Sequence, residues 1–431
     1  MKAKANANQA KQYDVVIVGG GMVGASLAIA LLPLTKAPHN LKVCVIDAFE
    51  YNDASQPSYD DRAIALSHGS SLIFKGMGLW GELVSKTSPI KKIHVSDRGY
   101  FGATRLSAEE EKVPSLGYLV ESRVLGKYLH KVLDDSDVEL IIPASVTEIS
   151  NEDDSSVKLK VKQGDETIQL SSRLLVAADG TNSKVRELSG VETTVSDYQQ
   201  SAIIANVSTQ KPHNGQAYER FTEHGPIALL PMSNNRSSLV WTYKTENGTD
   251  ELDAAMALND ADFLNQLDQA FGFRLGKFTK VGKRSSYPLS LVTSDKNTAY
   301  RTVIIGNASH TLHPVAGQGL NLALRDVAVL SDLLANLISA TGTPNKIKSI
   351  AELLVTYEET RAEDLKNTIN YTDSLVRLFS NDNALLGHAR AGGLMAVDRI
   401  APMRKWISTQ SMGIKHRQSR LARGLALRVS A

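Results

Sequence analysis

The first fifty residues constrain the fold most. Tyr13-Asp14-Val15-Val16-Ile17-Val18 is a largely apolar run, the signature of a strand buried on both faces of a parallel sheet. It leads directly into Gly19-Gly20-Gly21-Met22-Val23-Gly24, and Ala25 to Leu32 then reads as a helix with Gly24, Ala25 and Ala28 on its early turns. Asp47 ends the next strand-like run, 23 residues beyond Gly24. Each glycine has a physical task in such a βαβ unit. Gly19 permits the tight turn, Gly21 lets backbone N–H groups approach a diphosphate, and Gly24 lets the helix pack on the strand. Asp47 accepts hydrogen bonds from ribose hydroxyls in the same pattern. With strand, helix and acidic residue all in place, dinucleotide binding is favoured over a glycine turn that only caps a helix.

A second glycine-rich run extends from Val303 to Asp326. Val303 to Ile305 reads as a strand, Gly306 to Gly319 as a tight loop and Leu320 onward as a helix. The helix N-terminus is thereby set over the loop, where its N–H groups and dipole stabilise negative charge. Gly317 and Gly319 allow a flat ring to approach without a Cβ clash. The competing reading is an ordinary glycine-rich connection. Two such elements so far apart suggest a cofactor with two ends to hold, which FAD fits better than NAD. Between them, Leu174-Leu175-Val176-Ala177-Ala178-Asp179-Gly180 is another buried strand ending in a turn signal.

At 431 residues, two units, which can interleave, are expected. Strand-like alternation marks Val157 to Leu170 and Ala202 to Tyr243, whereas Leu252 to Phe271, Leu320 to Leu337 and Ile350 to Thr368 have helical spacing. The lone Cys44 excludes a disulfide framework or cysteine metal site and reads as a core residue. His310 and His313 have no companion cluster of carboxylates or cysteines to make a metal site. Hydrolase, zinc-protease and NTPase motifs are missing. Met1 to Gln12 is polar and no run of 18 apolar residues occurs, so a cytoplasmic location is the default expectation. From Arg399 to Ala431 there are eight Lys/Arg and no Asp/Glu, so the basicity belongs to the tail.

Taken together, the N-terminal fingerprint, Ala177-Ala178-Asp179-Gly180 and the Gly306 to Asp326 run resemble, in order, the three FAD motifs of aromatic-ring flavoprotein monooxygenases. Within that class, Asp61 to Leu66, Ile93 to Gly99, Glu219 to Pro226 and His313 to Gly319 resemble the ubiquinone-biosynthesis hydroxylases, most nearly those acting on 2-polyprenyl-6-methoxyphenols. The resemblance covers essentially the whole chain. It implies an α/β fold in which a Rossmann-like FAD domain (11–90, 121–195, 296–360) interleaves with a mixed-sheet substrate domain (91–120, 196–295), followed by a helical C-terminal region with a basic tail (361–431). It also implies that NAD(P)H reduces the flavin, that O2 adds as a C4a-hydroperoxide, and that the distal oxygen goes to an electron-rich phenol ring, with no side-chain base identified.

By resemblance, the cofactor residues are Gly19, Gly21, Gly24, Asp47, Asp179, Gly180, Gly306, Asn307, Pro314, Gly317, Gln318, Gly319, Leu320 and Asn321. Many members of the wider class carry Asp where this chain has Asn307, whose amide still accepts and donates. Arg62 and Arg123 match positions near the cofactor, a guanidinium being a natural diphosphate partner, with exposed surface arginines as the competing reading. His313-Pro314 reads as shaping the flavin loop.

A polyprenylated phenol brings the enzyme to a bilayer, a lipid-carrier protein or a ubiquinone-biosynthesis complex, and nothing indicates nucleic acid. Trp406, Ile414, Leu421 and Leu425 could face lipid beneath the tail's cations, or the tail is a solvated or partner-binding basic helix. Alternatives on the same scaffold are a hydroxylase acting at another ring carbon, a flavoprotein reductase, a halogenase, for which the W-x-W-x-I-P pattern is missing around Trp241, and a non-catalytic flavin-bound scaffold.

Overall fold

A computed structural model describes residues 11–51, 62–153, 155–245, 250–338, 349–379, 384–415 and 418–428. The strand Lys11–Val18 passes through the Gly19-Gly20-Gly21 turn into the helix Met22–Thr35. Its parallel sheet runs in the order Thr302–Ile304, Glu166–Ala177, Lys11–Val18, Val43–Ile46 and Glu139–Ile141. These strands lack polar alternation because both faces are covered. Val15, Ile17, Val45, Leu174 and Val176 pack towards the helices, whereas Val16, Cys44, Ile46, Leu175 and Ala177 pack towards Val157, Leu159 and Val161 on the other face. Cys44 is thus a core residue.

The second sheet is mixed. It runs in the order His310–Thr311, Ser285–Ser294, Thr193–Thr209, Arg236–Lys244, Gly225–Pro231, Gln216–Thr222, Lys92–Asp97 and Ala103–Ser107. Gln216–Thr222 lies parallel to Lys92–Asp97, so chain segments far apart in sequence interleave in one sheet. One face of it is sealed by Trp241, Phe263, Leu267 and Phe271. The expected single helix from 252 to 271 is two, Asp250–Ala257 and Asp260–Phe271. The side chain of Asn259 accepts the Asp262 N–H at 3.0 Å and starts the second.

The C-terminal third supplies the helices Gly319–Ile338, Ile350–Phe379, Ala384–Arg399 and Ala401–Ser411. Ile350–Phe379 runs unbroken across position 360. The tail is not a free lipid-facing arm. Leu421 is buried in the core of the parallel sheet and its helices and Ile414 packs beside Met412, so neither is available to a bilayer as expected. Burial of their apolar surface in the protein outcompetes exposure. Trp406 and Leu425 remain exposed.

Candidate active site

Register brings the three motifs to one edge. Val18 pairs with both Ala177 and Ile46, and Ala177 pairs with Ile304. Gly19 N–H donates to Ile46 C=O at 2.8 Å, Ala178 N–H to Val18 C=O at 2.8 Å and Ile305 N–H to Ala177 C=O at 2.9 Å. Gly19, Asp47, Asp179-Gly180 and Gly306 therefore all follow the carboxyl ends of neighbouring strands, where parallel sheets open their crevice.

The N-terminal turn tolerates only glycine at two points. Gly19 has φ +103°, and a Cβ there would lie 2.3 Å from the Ala178 carbonyl oxygen; a Cβ on Gly24 would lie 1.8 Å from that of Gly19. Gly21 is the N-cap of Met22–Thr35, and no side chain caps that helix. Its first-turn N–H groups suit an anion, so the cradle fits a dinucleotide's diphosphate. The Asp47 carboxylate accepts Gly20 N–H at 2.5 Å and Phe49 N–H at 2.9 Å, which orients it at the turn.

Asp179 accepts from Ser183 Oγ at 2.5 Å and Val185 N–H at 3.1 Å, capping the short helix Lys184–Leu188. Gly180 has φ +88°. This motif is locally a turn and cap, and the Arg186 guanidinium ties it to the third loop by donating to Ala308 C=O at 2.7 Å.

In the third loop Gly306 and Gly317 have φ +60° and +58°, and a Cβ on Gly319 would meet nothing within 4 Å, leaving open space for a ring. Asn307 is exposed between buried Gly306 and Ala308, whereas Gln318 is buried and Pro314 and Leu320 are half-buried. The Asn321 side chain holds the loop shut: its Oδ1 accepts from Ser67 N–H and Ser70 Oγ, both at 2.7 Å. Its amide nitrogen donates to Ala65 C=O at 2.7 Å and Gly317 C=O at 2.6 Å. With its side chain spent on these ties, Asn321 can meet a flavin only through its backbone. His313 Nδ1 accepts Val315 N–H at 3.1 Å, and burial lowers His313 to about 3 and His310 to about 4, so both rings are neutral.

Beneath the loop lies a charge network that sequence reasoning missed. Asp326 accepts Gly306 N–H at 3.3 Å and Arg361 Nε at 2.7 Å; Asp364 accepts from Arg361 and, at 2.7 Å, from Arg325 Nε. All four side chains are buried. Burial alone would raise the Asp364 carboxyl, but the Arg325 and Arg361 guanidinium groups outweigh it and hold the carboxyl well below the usual range.

A cavity of about 170 Å³ lies between this loop and the second sheet. Ile93, Val95, Ala217, Phe221, Leu230 and Val240 form its apolar wall, Pro314, Gly317 and Asn321 its loop side, and Tyr371, Leu394 and Ile407 its helical side. Among the described residues, Glu219 is the single charged one lining it. Burial, with the Glu219 carboxylate adding to it, raises the Tyr371 hydroxyl to about 12. Phe221 and Leu230 thus line this cavity. Tyr287 lines another. That second cavity, of about 690 Å³, gathers Arg62 and Arg123 with Arg236, Lys280 and Lys283, with Glu121 the one carboxylate among the described residues. The sequence signal for Glu219 was its place between Ala217 and Phe221 on an alternating strand.

A family model described as an FAD binding domain matches residues 12–370. The chain is 37% identical to "Ubiquinone hydroxylase UbiL" of Rhodospirillum rubrum, over 97% of this chain and 94% of that one. It is 30% identical to the "3-demethoxyubiquinol 3-hydroxylase" of Escherichia coli, over 93% and 98%. The p-nitrophenol 4-monooxygenase PnpA of Pseudomonas putida DLL-E4 has the same fold, with a TM-score of 0.73 at 16% identity over 94% of this chain and 99% of that one. The dinucleotide cradle, the two loops at the same sheet edge and the apolar cavity beside them agree with this kinship: the chain belongs to the FAD-dependent hydroxylases of ubiquinone biosynthesis.

Proposed function

We propose that the chain hydroxylates a 2-polyprenyl-6-methoxyphenol at the ring carbon para to the phenol hydroxyl, using NAD(P)H and O2. The carrying observation is the apolar cavity directly against the Pro314 to Gly319 loop. Its volume of about 170 Å³ exceeds the roughly 150 Å³ that accepts a benzene ring in an engineered apolar cavity. A substituted phenol ring therefore fits, while a prenyl tail has to leave it. Bound FAD, once reduced, supplies activated oxygen, and the protein's part is to orient the ring and exclude water.

In this reading Gly19, Gly21 and Gly24 hold the diphosphate, Asp47 the ribose, and Asn307 the ribityl chain. Asp179 acts by holding its turn, and Gly306, Pro314, Gly317, Gln318, Gly319, Leu320 and Asn321 shape the flavin loop. Arg62 and Arg123 supply charge for phosphate groups at the basic cavity. A sibling reading with another ring position is favoured by the name of the Escherichia coli relative, a 3-hydroxylase.

The tail exits on the helical side. There Arg399, Ile400, Met403, Lys405 and Trp406 are exposed on or beside helices that also send Leu394 and Ile407 into the cavity. This face meets an anionic bilayer in our reading. Purified FAD-loaded protein given a short-chain 2-prenyl-6-methoxyphenol tests the assignment. Substrate-stimulated NAD(P)H oxidation with a para-hydroxylated product is expected. Oxidation of a different ring carbon supports the sibling reading, and turnover without O2 a reductase.

A further inference from the structure

We propose that the basic cavity docks the phosphates of the dinucleotide reductant, with Arg236, Lys280 and Lys283 as the cations that hold them. The inference rests on the NAD(P)H-dependent reading above and not on which ring carbon is hydroxylated. Register sets the pattern. Arg236 and Lys280 both pair with Ser208, from the strands on either side of it, so the three form one row on one face of the second sheet. Two strand spacings put the cations roughly 10 Å apart with only a serine side chain between them. A phosphate fits that gap, since its oxygens can accept from both cations and from the hydroxyl. Lys283 follows Gly282, whose N–H donates to Asn206 C=O at 2.8 Å and ties the segment to the Ser208 strand.

The charge in the cavity is unbalanced. Arg236 donates to Glu121 at 3.0 Å, which occupies the one carboxylate there among the described residues. Lys280 and Lys283 are exposed and make no ion pair among the described residues. A concavity with five cations against one carboxylate gathers anions, and about 690 Å³ is the size of a small-molecule site. Its position connects it to the flavin loop. Val240 lines the ring cavity and its partner Ile204 lines the basic one, so both open on the same face of the sheet. Arg62 precedes by three residues Ala65, whose Cβ a Cβ on Gly317 would approach to 3.1 Å. Three extended residues span roughly 10 Å, a gap that a ribose and a nicotinamide ring bridge. In our reading FAD's own diphosphate takes the glycine cradle, which leaves this row for the second dinucleotide.

The double variant Lys280→Gln/Lys283→Gln, in the FAD-loaded full-length chain, tests this with NADP⁺ and NAD⁺ as probes. The Kd of the nucleotide the wild type prefers should rise about tenfold, and the KM of its reduced form with it. FAD content, kcat at saturating reductant and Kd for the phenol should hold. Raising the salt should weaken nucleotide binding to the wild type more than to the variant. An unchanged nucleotide Kd would overturn the proposal, and so would loss of FAD, which would assign the row to FAD's diphosphate. Lys280→Arg/Lys283→Arg keeps the charge and should bind as the wild type does; equal weakening there would refute the electrostatic role. A wild-type protein that binds neither nucleotide would overturn the NAD(P)H reading and this site together, whereas binding that the Gln variant leaves intact overturns the site alone.

Discussion

One methyl group at position 24 decides whether the dinucleotide turn closes. Because a Cβ there would lie 1.8 Å from the Gly19 carbonyl oxygen, Gly24→Ala has to push helix and strand apart. It should cost roughly 3 kcal/mol and strip FAD from the protein. Urea melts and the flavin-to-protein absorbance ratio would show it; full flavin retention would count against the cradle. That glycine was legible in the sequence because a βαβ turn has few solutions. Asn321 was legible only as a position. Its side chain spans Ala65, Ser67, Ser70 and Gly317, and contacts with residues some 250 positions away leave no local signal. Glu219 was readable only as a carboxylate alternating with Ala217 and Phe221 on a mixed strand, and its cavity exists only once the Gly317 loop and the C-terminal helices close over the sheet.

Between elements, the buried charges joining Gly319–Ile338 to Ile350–Phe379 hold the flavin loop from below. Asp364→Asn leaves two buried guanidinium groups undercompensated and should cost about 3–5 kcal/mol at pH 7. The sign of the pH dependence is fixed by the depressed folded value. The stabilisation is complete above the ordinary aspartate value of about 4 and is lost as pH falls through the folded one. The stability gap between wild type and variant should therefore shrink below about pH 4. Neutral buried His310 and His313 also destabilise the fold in acid, beginning near 6.5; His313 does so alike in both proteins, whereas the Asp364 carboxylate raises His310, so the comparison is made in a His310→Gln background to isolate Asp364. A gap independent of pH would contradict the network. The helices themselves were legible from apolar spacing. The break at Asn259 was not, because Leu252, Phe263 and Leu267 keep helical spacing across it while the cap overrides the pattern.

At the scale of the molecule, two sheets built from interleaved segments set a flavin loop on one side of an apolar cavity and C-terminal helices on the other. The parallel sheet could be read from its strand–glycine–helix order, whereas the path of the tail could not. Its basic composition resembles a surface arm, yet Leu421 is drawn into the core. In the proposed reading, membrane contact falls on the face around Trp406. Replacing Arg399 and Lys405 by Gln should weaken binding to anionic vesicles by about 2 kcal/mol, roughly thirtyfold, at about 1 kcal/mol per cation. Vesicle sedimentation at low and high salt would check it, and unchanged binding would move the contact elsewhere. The most direct test of the central claim is mass spectrometry of quinone-pathway lipids in cells lacking the gene, complemented by the intact chain or by Gly21→Val. Accumulation of a 2-polyprenyl-6-methoxyphenol that only the intact chain clears is the predicted result; an unchanged quinone profile would contradict it.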